Sequence, residues 1–268
     1  VTRGDVMLRK LHPLMFLPMR LFGIRKKKIP GHEFAGEIEA TGGDVRQFKA
    51  GDQVFGTTTG LSVGANAEYV CLPEESTRGV LAIKPVNSSY EESAALPVGG
   101  MTAMYILQKG NIQSGQKVLV YGASGSVGTY AVQLARHHYG AEVTGVCSTA
   151  NIELVKSLGA DQVFDYTNED FTKNGQIYDV VFDAVGKISA SQSNNMLKKN
   201  GSYLSIQTTT SENTENLIAL KELVEAGKVR AVIDRSYPLE QVAEAHRYVE
   251  TGHKKGNVVI TVAQNDRA

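Results

Sequence analysis

Three regularly spaced glycines are the residues in this sequence whose chemistry is easiest to read. Gly122, Gly125 and Gly128 follow the apolar run at 118–121 with the spacing G-x-x-G-x-x-G. Where an apolar strand turns sharply into a helix, backbone N–H groups point outward and the helix dipole adds partial positive charge. A pyrophosphate fits such a turn, so the spacing predicts a dinucleotide-binding site.

The residues around the glycines decide between this site and an ordinary glycine turn in another α/β fold. The run at 117–121 is typical of a buried parallel strand, and 126–138 has the apolar spacing of a helix. Strands and helices then alternate, which favours a doubly wound parallel sheet of the Rossmann type with right-handed crossovers. We expect strands at 117–121, 142–146, 162–164, 178–183 and 201–206, and helices at 126–138, 151–158 and 190–198.

The end of the second predicted strand bears on the choice of dinucleotide. An Asp or Glu there would bind the adenosine ribose hydroxyls and repel a 2′-phosphate. The chain instead has Cys147, Ser148 and Thr149, which leave room for a phosphate, so the sequence favours NADPH over NADH. No Arg or Lys follows within the next few residues to neutralise that phosphate. We interpret Cys147 as a small strand-end residue rather than a reactive thiol.

Length and composition favour a compact two-domain protein. The chain has 268 residues, and its 28 basic and 28 acidic side chains give a formal net charge of zero, so nothing favours a nucleic acid as partner. The two cysteines lack metal-binding or disulfide spacing, which suits a reducing cytoplasm. The apolar stretch Leu11–Phe22 is too short and too interrupted to span a membrane; it is either a loop over a substrate cleft or a packed connection. The basic run at 25–28 is interpreted as a solvated loop.

The first hundred residues have a different pattern from the rest. Short alternating segments at 30–40 and 48–56 are separated by Gly and Asp turns, which predicts an antiparallel, barrel-like domain. A further strand is predicted at 67–71, and the domain boundary near Leu96. From Arg230 the chain is expected to return to this domain, with a strand at 231–233, a helix at 239–250 and a strand at 257–262. A helix is predicted at 215–226.

Taken in order, these motifs resemble those of a known superfamily. They are Pro30–Gly36, Gly51–Val54, Ala67–Val70, Gly100–Ala103, Tyr121–Gly128, Leu158–Asp161, Asp183–Gly186 and Gly256–Val262. The sequence is similar to the medium-chain dehydrogenase/reductase superfamily, and within it to the zinc-independent quinone and enone reductases that resemble zeta-crystallin. The resemblance implies a GroES-like antiparallel β-barrel domain at 1–97, a Rossmann domain at 98–229, and a return to the first domain at 230–268.

The metal ligands of the zinc-dependent members have largely been replaced. Those members hold zinc with a Cys, a His and a second Cys, and the matching positions here are Thr2, His32 and Val98. Catalytic zinc needs three protein ligands, so no metal is predicted. Without a Lewis acid, a ketone is harder to reduce than a conjugated system that spreads the developing charge. We therefore expect hydride transfer from NADPH to a quinone or an α,β-unsaturated carbonyl.

The resemblance also implies positions for the cofactor. Ser148 and Tyr166 would lie near the adenosine phosphate and Thr102 near the nicotinamide, while the Gly256–Asn257 turn would close over the cofactor. The ribose and ring would be lined by Val185, Ser205 and Ile206, although Val185 and Ile206 can equally be strand-end packing. The pyrophosphate turn would consist of Gly122, Ala123, Ser124, Gly125, Ser126, Val127 and Gly128.

His32 is the main catalytic candidate, because an imidazole titrates near neutral pH and can protonate an enolate. The alternative is a structural histidine bonded to Glu33 or Asp5. Thr2 and Asp5 match positions where related reductases carry Asn or Thr and Asp, so the Thr2 hydroxyl is a candidate for bonding the substrate carbonyl. Each role is a hypothesis.

Two departures from the family pattern are visible. The chain reaches the segment at 1–5 without the several strands that precede it in relatives, and the interval between Ser205 and Thr208 is shorter than theirs. The resemblance also suggests a homodimer. A zinc-type alcohol dehydrogenase and a non-catalytic NADPH-binding protein remain alternative functions.

Overall fold

The structure is a computed structural model that describes residues 1–10, 28–76, 78–173 and 175–262. The chain forms two compact units. Unit 1 comprises Val1–Val98, Glu212–Lys221 and Ile233–Ala268, and unit 2 comprises Gly99–Ser211 and Glu222–Val232. The apolar stretch Leu11–Phe22 and most of the basic run at 25–28, both interpreted from the sequence, lie outside the described residues.

Unit 2 is built on a five-stranded parallel sheet. The strand order β6-β5-β4-β7-β8 confirms the predicted doubly wound topology, and the chain changes direction across the sheet between β4 and β7. The strands are β4 (Lys117–Tyr121), β5 (Glu142–Cys147), β6 (Gln162–Asp165), β7 (Tyr178–Asp183) and β8 (Leu197–Ser205).

The apolar run that precedes the glycines forms the centre of this sheet. Val118, Leu119 and Val120 are fully buried in β4, as both faces of a parallel sheet are covered by helices. On one face Leu119 packs in a cluster with Val181 and Met196. Burial of each such side chain contributes roughly 1.5–3 kcal/mol, so the core holds the carboxyl ends of the strands firmly in place.

The connecting helices of this part of the chain agree closely with expectation, with one correction. Leu197 and Lys198 were predicted to end a helix but begin β8, because the polypeptide there pairs with Tyr178 at the start of β7. The helices are α3 (Pro97–Gln108), α4 (Ser126–Gln133, continued by a π-helical turn at Leu134–His138), α5 (Ile152–Ser157, preceded by a 3-10 turn at Thr149–Asn151) and α6 (Ala190–Met196), and a 3-10 turn lies at Phe171–Lys173.

Unit 1 contains an antiparallel sheet and a two-stranded parallel sheet. The first has the order β1-β2-β3 and the second pairs β10 with β9. The strands are β1 (Glu33–Glu37), β2 (Gln53–Thr57), β3 (Val80–Ile83), β9 (Ile233–Pro238) and β10 (Asn257–Thr261). The helices are α1 (Arg3–Lys10), α2 (Tyr90–Ala95), α7 (Thr214–Glu225, whose last residues belong to unit 2) and α8 (Val242–Glu250, preceded by a 3-10 turn at Leu239–Gln241).

Two predicted strands of unit 1 are corrected. Residues 67–71 are not a strand, because none of them pairs with another described strand, and Tyr69 is 58% exposed. The strand expected at 231–233 instead begins at Ile233 and runs to Pro238, where β10 provides its hydrogen-bonding partner. Both corrections have the same cause, since a strand exists only where another strand pairs with it.

The segment Glu212–Lys221 was expected in the Rossmann domain and belongs instead to unit 1. The Glu212 carboxylate accepts hydrogen bonds from the hydroxyls of Thr57 at 2.5 Å and Thr59 at 2.9 Å. These charge-assisted bonds tie the start of α7 to the end of β2.

A cavity of about 1030 Å³ lies within unit 1 between β1, β10 and α2. Its lining includes Asp5, His32, Glu33 and Asn257, together with apolar side chains such as Phe34. The outer edge of β1 has no strand partner within the described part of the chain.

Among the residues that the structure describes, no helix combines the length and the apolar character needed to cross a membrane.

Candidate functional site

The glycine turn lies at the carboxyl end of β4, next to the point where the sheet changes direction. Its first two N–H groups, on Gly122 and Ala123, donate to the carbonyl of Val146 at 3.0 Å, and that of Gly125 donates to the carbonyl of Gly122 at 3.0 Å. These bonds hold the turn together. Gly125 is the N-cap of α4 and brings no side-chain cap, which leaves the helix start open to an anion.

Steric contacts explain why two of the glycines are required. A Cβ on Gly128 would lie 2.0 Å from the carbonyl oxygen of Gly122, so α4 approaches the turn too closely for any side chain. Gly122 has a φ of +79°, and a Cβ there would lie 2.5 Å from Val185 Cγ2. The glycine turn therefore has the close backbone packing and the open helix start that a dinucleotide pyrophosphate needs, as the glycine spacing predicted.

Asp183 begins the Asp183–Gly186 motif, and although the sequence predicts no role for it, it organises the neighbouring loop. This fully buried residue ends β7, and its carboxylate accepts hydrogen bonds from the N–H groups of Val185 (2.9 Å), Gly186 (2.7 Å) and Ile188 (2.7 Å). The N–H of Ile206 donates to the carbonyl of Asp183 at 2.9 Å. The predicted residues Val185, Ser205 and Ile206 thus lie together at the ends of β7 and β8.

Thr102 lies on α3, which packs against the start of α4 within unit 2. A Cβ on Gly99 would lie 2.6 Å from Ser126 Oγ and 2.9 Å from Tyr130 Cε2, so the two helices touch there. Thr102 is three residues further along α3 and therefore lies on the same helical face as Gly99. This packing places Thr102 on the side of α3 that carries the contact with Ser126.

The end of β5 carries the predicted adenosine-side residues. The side-chain amide of Asn151 donates to Ser148 Oγ at 3.1 Å and to Ser124 Oγ at 3.2 Å, which joins the glycine turn to this strand end. Tyr166 is 50% exposed, and its ring stands edge-on to that of Tyr121 with centroids 6.4 Å apart. Sequence reasoning missed Asn151, because its contacts depend on the meeting of two loops.

Asp165 ends β6 beside these residues and is only 7% exposed. Hydrogen bonds from the Thr149 hydroxyl and then from Thr167 hold the pKa of Asp165 below its usual range. The neighbouring Cys147 is buried, and burial raises the pKa of its thiol to about 11. Cys147 is therefore protonated at neutral pH, in keeping with its interpretation as a strand-end residue.

In unit 1, Thr2 and Asp5 form a reciprocal cap at the start of α1. The N–H of Thr2 donates to Asp5 Oδ2 at 2.7 Å, its hydroxyl donates to the same oxygen at 2.9 Å, and the N–H of Asp5 donates to Thr2 Oγ1 at 3.1 Å. The proton of the Thr2 hydroxyl is therefore already directed at a carboxylate. This geometry competes with the predicted bond from Thr2 to a substrate carbonyl.

The second oxygen of Asp5 is bonded to His32 through Nδ1 of the imidazole. Burial opposes ionisation of Asp5, but the hydrogen bond and charge of His32 outweigh it and hold the pKa of Asp5 well below its usual range. Because Asp5 is ionised, we assign the Nδ1 proton to His32, which leaves Nε2 for other partners. The His32 side chain is 16% exposed and so remains accessible.

Glu33 follows His32 on β1 and has an unusual titration. One of its carboxyl oxygens accepts the backbone N–H of Val98 at 2.7 Å, and burial raises the pKa of Glu33 to about 8. Burial also lowers the pKa of Lys254 to about 8, and the ammonium of Lys254 donates to the carbonyl of Gly256 at 2.5 Å. Gly256 and the buried Asn257, both predicted cofactor residues, belong to unit 1.

The donors around His32 do not fit a zinc ion. Val98 offers only an apolar side chain and the Thr2 hydroxyl is bonded to Asp5, which leaves the imidazole Nε2 of His32 as the single donor among the three positions. Within the part of the chain that the structure describes, no group of three or more His, Cys, Asp or Glu side chains is placed to hold a metal ion. A catalytic zinc needs three protein ligands, and the side chains around His32 do not supply them.

Comparison with known protein families agrees with this architecture. Residues 1–84 match the family described as alcohol dehydrogenase GroES-like domain. Residues 158–214 and 206–260 match the family described as zinc-binding dehydrogenase, although the donors around His32 do not form a zinc site.

Individual relatives narrow the resemblance. The chain is 34% identical over 250 residues to an NADPH-dependent alkenal/one oxidoreductase of Arabidopsis thaliana, covering 87% of this chain but only 63% of that relative. It is 34% identical to a chloroplast envelope quinone oxidoreductase homolog of the same plant, over 87% of this chain and 79% of the relative. A quinone oxidoreductase structure from Coxiella burnetii superposes with a TM-score of 0.84 at 28% identity, covering 98% and 87% of the two chains. On these grounds the chain belongs to the medium-chain dehydrogenase/reductase superfamily, in its quinone oxidoreductase branch.

Proposed function

We propose that this protein is an NADPH-dependent oxidoreductase that reduces quinones or α,β-unsaturated carbonyl compounds without a metal ion. The observation that carries the proposal is that Asp5 orients His32 while Thr2 and Val98, at the other two positions, supply no ligand for zinc. Relatives that are named for alkenal, enone and quinone substrates support the same chemistry. When bound, NADPH supplies the hydride.

The glycine turn holds the dinucleotide in this proposal. The uncapped start of α4 at Gly125 provides backbone N–H groups for the anion. The absence of a side chain on Gly128 allows α4 to lie close to the Gly122 carbonyl, which keeps that helix start next to the turn. Residues at the ends of β7 and β8 line the remainder of the site. The loop after β7 is held by three backbone N–H groups that donate to the Asp183 carboxylate, which suits a site whose main task is orientation.

Thr2, Asp5 and His32, called here the His32 cluster, then have one role each. Thr2 holds Asp5 by the reciprocal cap, and Asp5 orients His32 through Nδ1. Protonated His32 donates the Nε2 proton to the reduced substrate, at the α carbon of an enolate or at a quinone oxygen. A conjugated substrate depends less on this proton donor than a simple ketone does, because the negative charge that develops on hydride transfer is spread over the conjugated system.

We also propose that the protein is a homodimer of the cytoplasm. A reducing compartment is supported by Cys71 and Cys147, which are both free thiols. Size-exclusion chromatography with light scattering tests the dimer, and a monomer at micromolar concentration contradicts it.

The function is tested by following NADPH oxidation with quinones, alkenals and simple ketones, with and without a chelator. We expect turnover of the conjugated substrates, little with the ketones, and no effect of the chelator.

His32→Ala should lower kcat by about tenfold to a hundredfold, whereas Thr2→Val should act mainly on stability. Loss of activity on chelation supports a zinc enzyme instead, and tight NADPH binding without any turnover supports the non-catalytic alternative.

A further inference from the structure

Asn151 joins the two loops that meet at the carboxyl edge of the parallel sheet. Its amide nitrogen has two hydrogen atoms, and the amide donates to both Ser124 Oγ and Ser148 Oγ. Each serine oxygen accepts from Asn151, so the hydroxyl proton of each serine is left to donate to another group. The side chain of Asn151 thus orients two hydroxyl donors next to the glycine turn.

Charged side chains around this point are mostly acidic. Between residues 147 and 170, all of which the structure describes, the sequence holds five acids and the single base Lys156. The ammonium of Lys156 lies 3.0 Å from a Glu153 carboxylate oxygen, and Asp165 is kept ionised by its hydrogen bonds. The strand end therefore offers neutral donors in a negatively charged surrounding.

NADPH differs from NADH only by the 2′-phosphate on the adenosine ribose. Hydrogen bonds from neutral groups to a phosphate are weaker than bidentate contacts from a basic side chain, and nearby carboxylates oppose the added charge. Recognition of that phosphate here depends on how many hydroxyl protons face it. The two serine hydroxyls that Asn151 orients are neutral donors that this strand end provides.

We propose that Asn151 is the positioning residue that sets the preference for NADPH over NADH, by orienting the Ser124 and Ser148 hydroxyls as neutral donors to the 2′-phosphate. The inference rests on the proposed function and deepens it. We expect NADPH to bind only about 3-fold to 30-fold more tightly than NADH, since no basic side chain of this strand end adds an ion pair.

Two substitutions of Asn151 test the inference by titration calorimetry and by the shift in melting temperature with each nucleotide. Asn151→Asp keeps the shape but accepts the serine protons and adds a negative charge, so NADPH affinity should fall about tenfold or more while NADH affinity changes less than about threefold. Asn151→Lys should raise the preference about tenfold. Gln162→Glu, at the amino end of β6, adds the same charge as the first variant and should leave the preference unchanged.

Ionic strength separates recognition of the 2′-phosphate by neutral donors from recognition by an ion pair. Between about 50 mM and about 500 mM salt, the wild-type preference should stay level or rise, and that of Asn151→Lys should fall. An unchanged preference in Asn151→Asp, or a wild-type preference that falls steeply with salt, overturns the inference and leaves the proposed function standing. Failure of the wild type to bind either nucleotide overturns both.

Discussion

The glycine turn of unit 2 and the His32 cluster of unit 1 are built by opposite means. The turn is made of backbone, and a Cβ added at Gly128 would lie only 2.0 Å from the carbonyl oxygen of Gly122. The cluster joins residues from distant parts of the chain through the bond between Asp5 and His32, and the adjacent Glu33 carboxylate accepts the backbone N–H of Val98. The turn should therefore be sensitive to any added atom, and the cluster to changes of charge.

The largest effect is expected from Gly128→Ala. The new Cβ would lie 2.0 Å from the Gly122 carbonyl oxygen and 2.9 Å from Ala123 Cα, both in the backbone, so the turn must open. We expect a loss of stability of about 3 kcal/mol and an NADPH affinity too weak to detect in the micromolar range. Denaturant unfolding and calorimetry measure the two effects.

Gly125→Ala is the matched control within the same turn. Its Cβ would lie 3.4 Å from the Gly122 carbonyl oxygen, which is at the limit of ordinary contact, and the backbone there is extended. Its cost should stay below about 1 kcal/mol. Equal losses in the two variants would show that the turn is not limited by the approach of α4.

A smaller effect is expected from Asp5→Asn, which keeps the size of the side chain and removes its charge. The pKa of Asp5 is lowered in the folded protein, so its stabilisation is fully present above the ordinary value of 3.8 and is lost as the pH falls through the lower folded value. At neutral pH we expect a loss of about 2 kcal/mol. The difference from the wild type should shrink in strong acid.

Asp44→Asn serves as the control for this substitution, since Asp44 is exposed in the same unit. Its stability should match that of the wild type within about 0.5 kcal/mol. If the Asp5→Asn difference stays the same from neutral pH down to strong acid, the charge of Asp5 is not what stabilises the cluster.

The smallest effect, and the only gain, is expected from Glu33→Gln. The pKa of Glu33 is raised to about 8, so the wild type loses stability as the pH rises from the ordinary value of 4.5 to about 8 and little beyond. The amide oxygen of Gln can still accept the N–H of Val98. We therefore expect a gain of about 1 kcal/mol at pH 8 and almost none at pH 4, measured by denaturant unfolding.

Glu37→Gln, on the exposed end of the same strand, should show no such dependence on pH. A Glu33→Gln variant that is less stable than the wild type at pH 8 would mean that Glu33 is ionised and paired in the folded protein.

The strands of the two units also differ in how well the sequence predicts them. The strands of unit 2 were predicted to within one or two residues at most ends, because buried parallel strands are long apolar runs bounded by turns. Residues 67–71 were also predicted as a strand and are not one, since a strand needs a partner that the local sequence does not specify. Leu197 and Lys198 were assigned to a helix because the pairing of Leu197 with Tyr178 of β7 is likewise not local.

The roles of single residues divide in the same way, into those set by local backbone geometry and those set by contacts between distant parts of the chain. Gly122 and Gly128 could be assigned from the sequence, because a positive φ or a backbone contact demands glycine at a fixed spacing. Asn151 could not be assigned, since its contacts with Ser124 and Ser148 arise only when two loops meet. The raised pKa of Glu33 was also hidden, because burial is a property of the folded unit.

The sequence by itself determined the parallel sheet and the place of the glycine turn, because each depends on residue type at short range. Its resemblance to the family implied that Thr2 and Val98 stand where zinc-dependent members carry cysteines. Only the tertiary structure decided that Thr2 caps α1, that Asp5 takes Nδ1 of His32, and that Glu212 belongs with unit 1. The reason is physical. Local patterns fix backbone geometry, whereas hydrogen bonds and burial between distant residues exist only once the chain has folded.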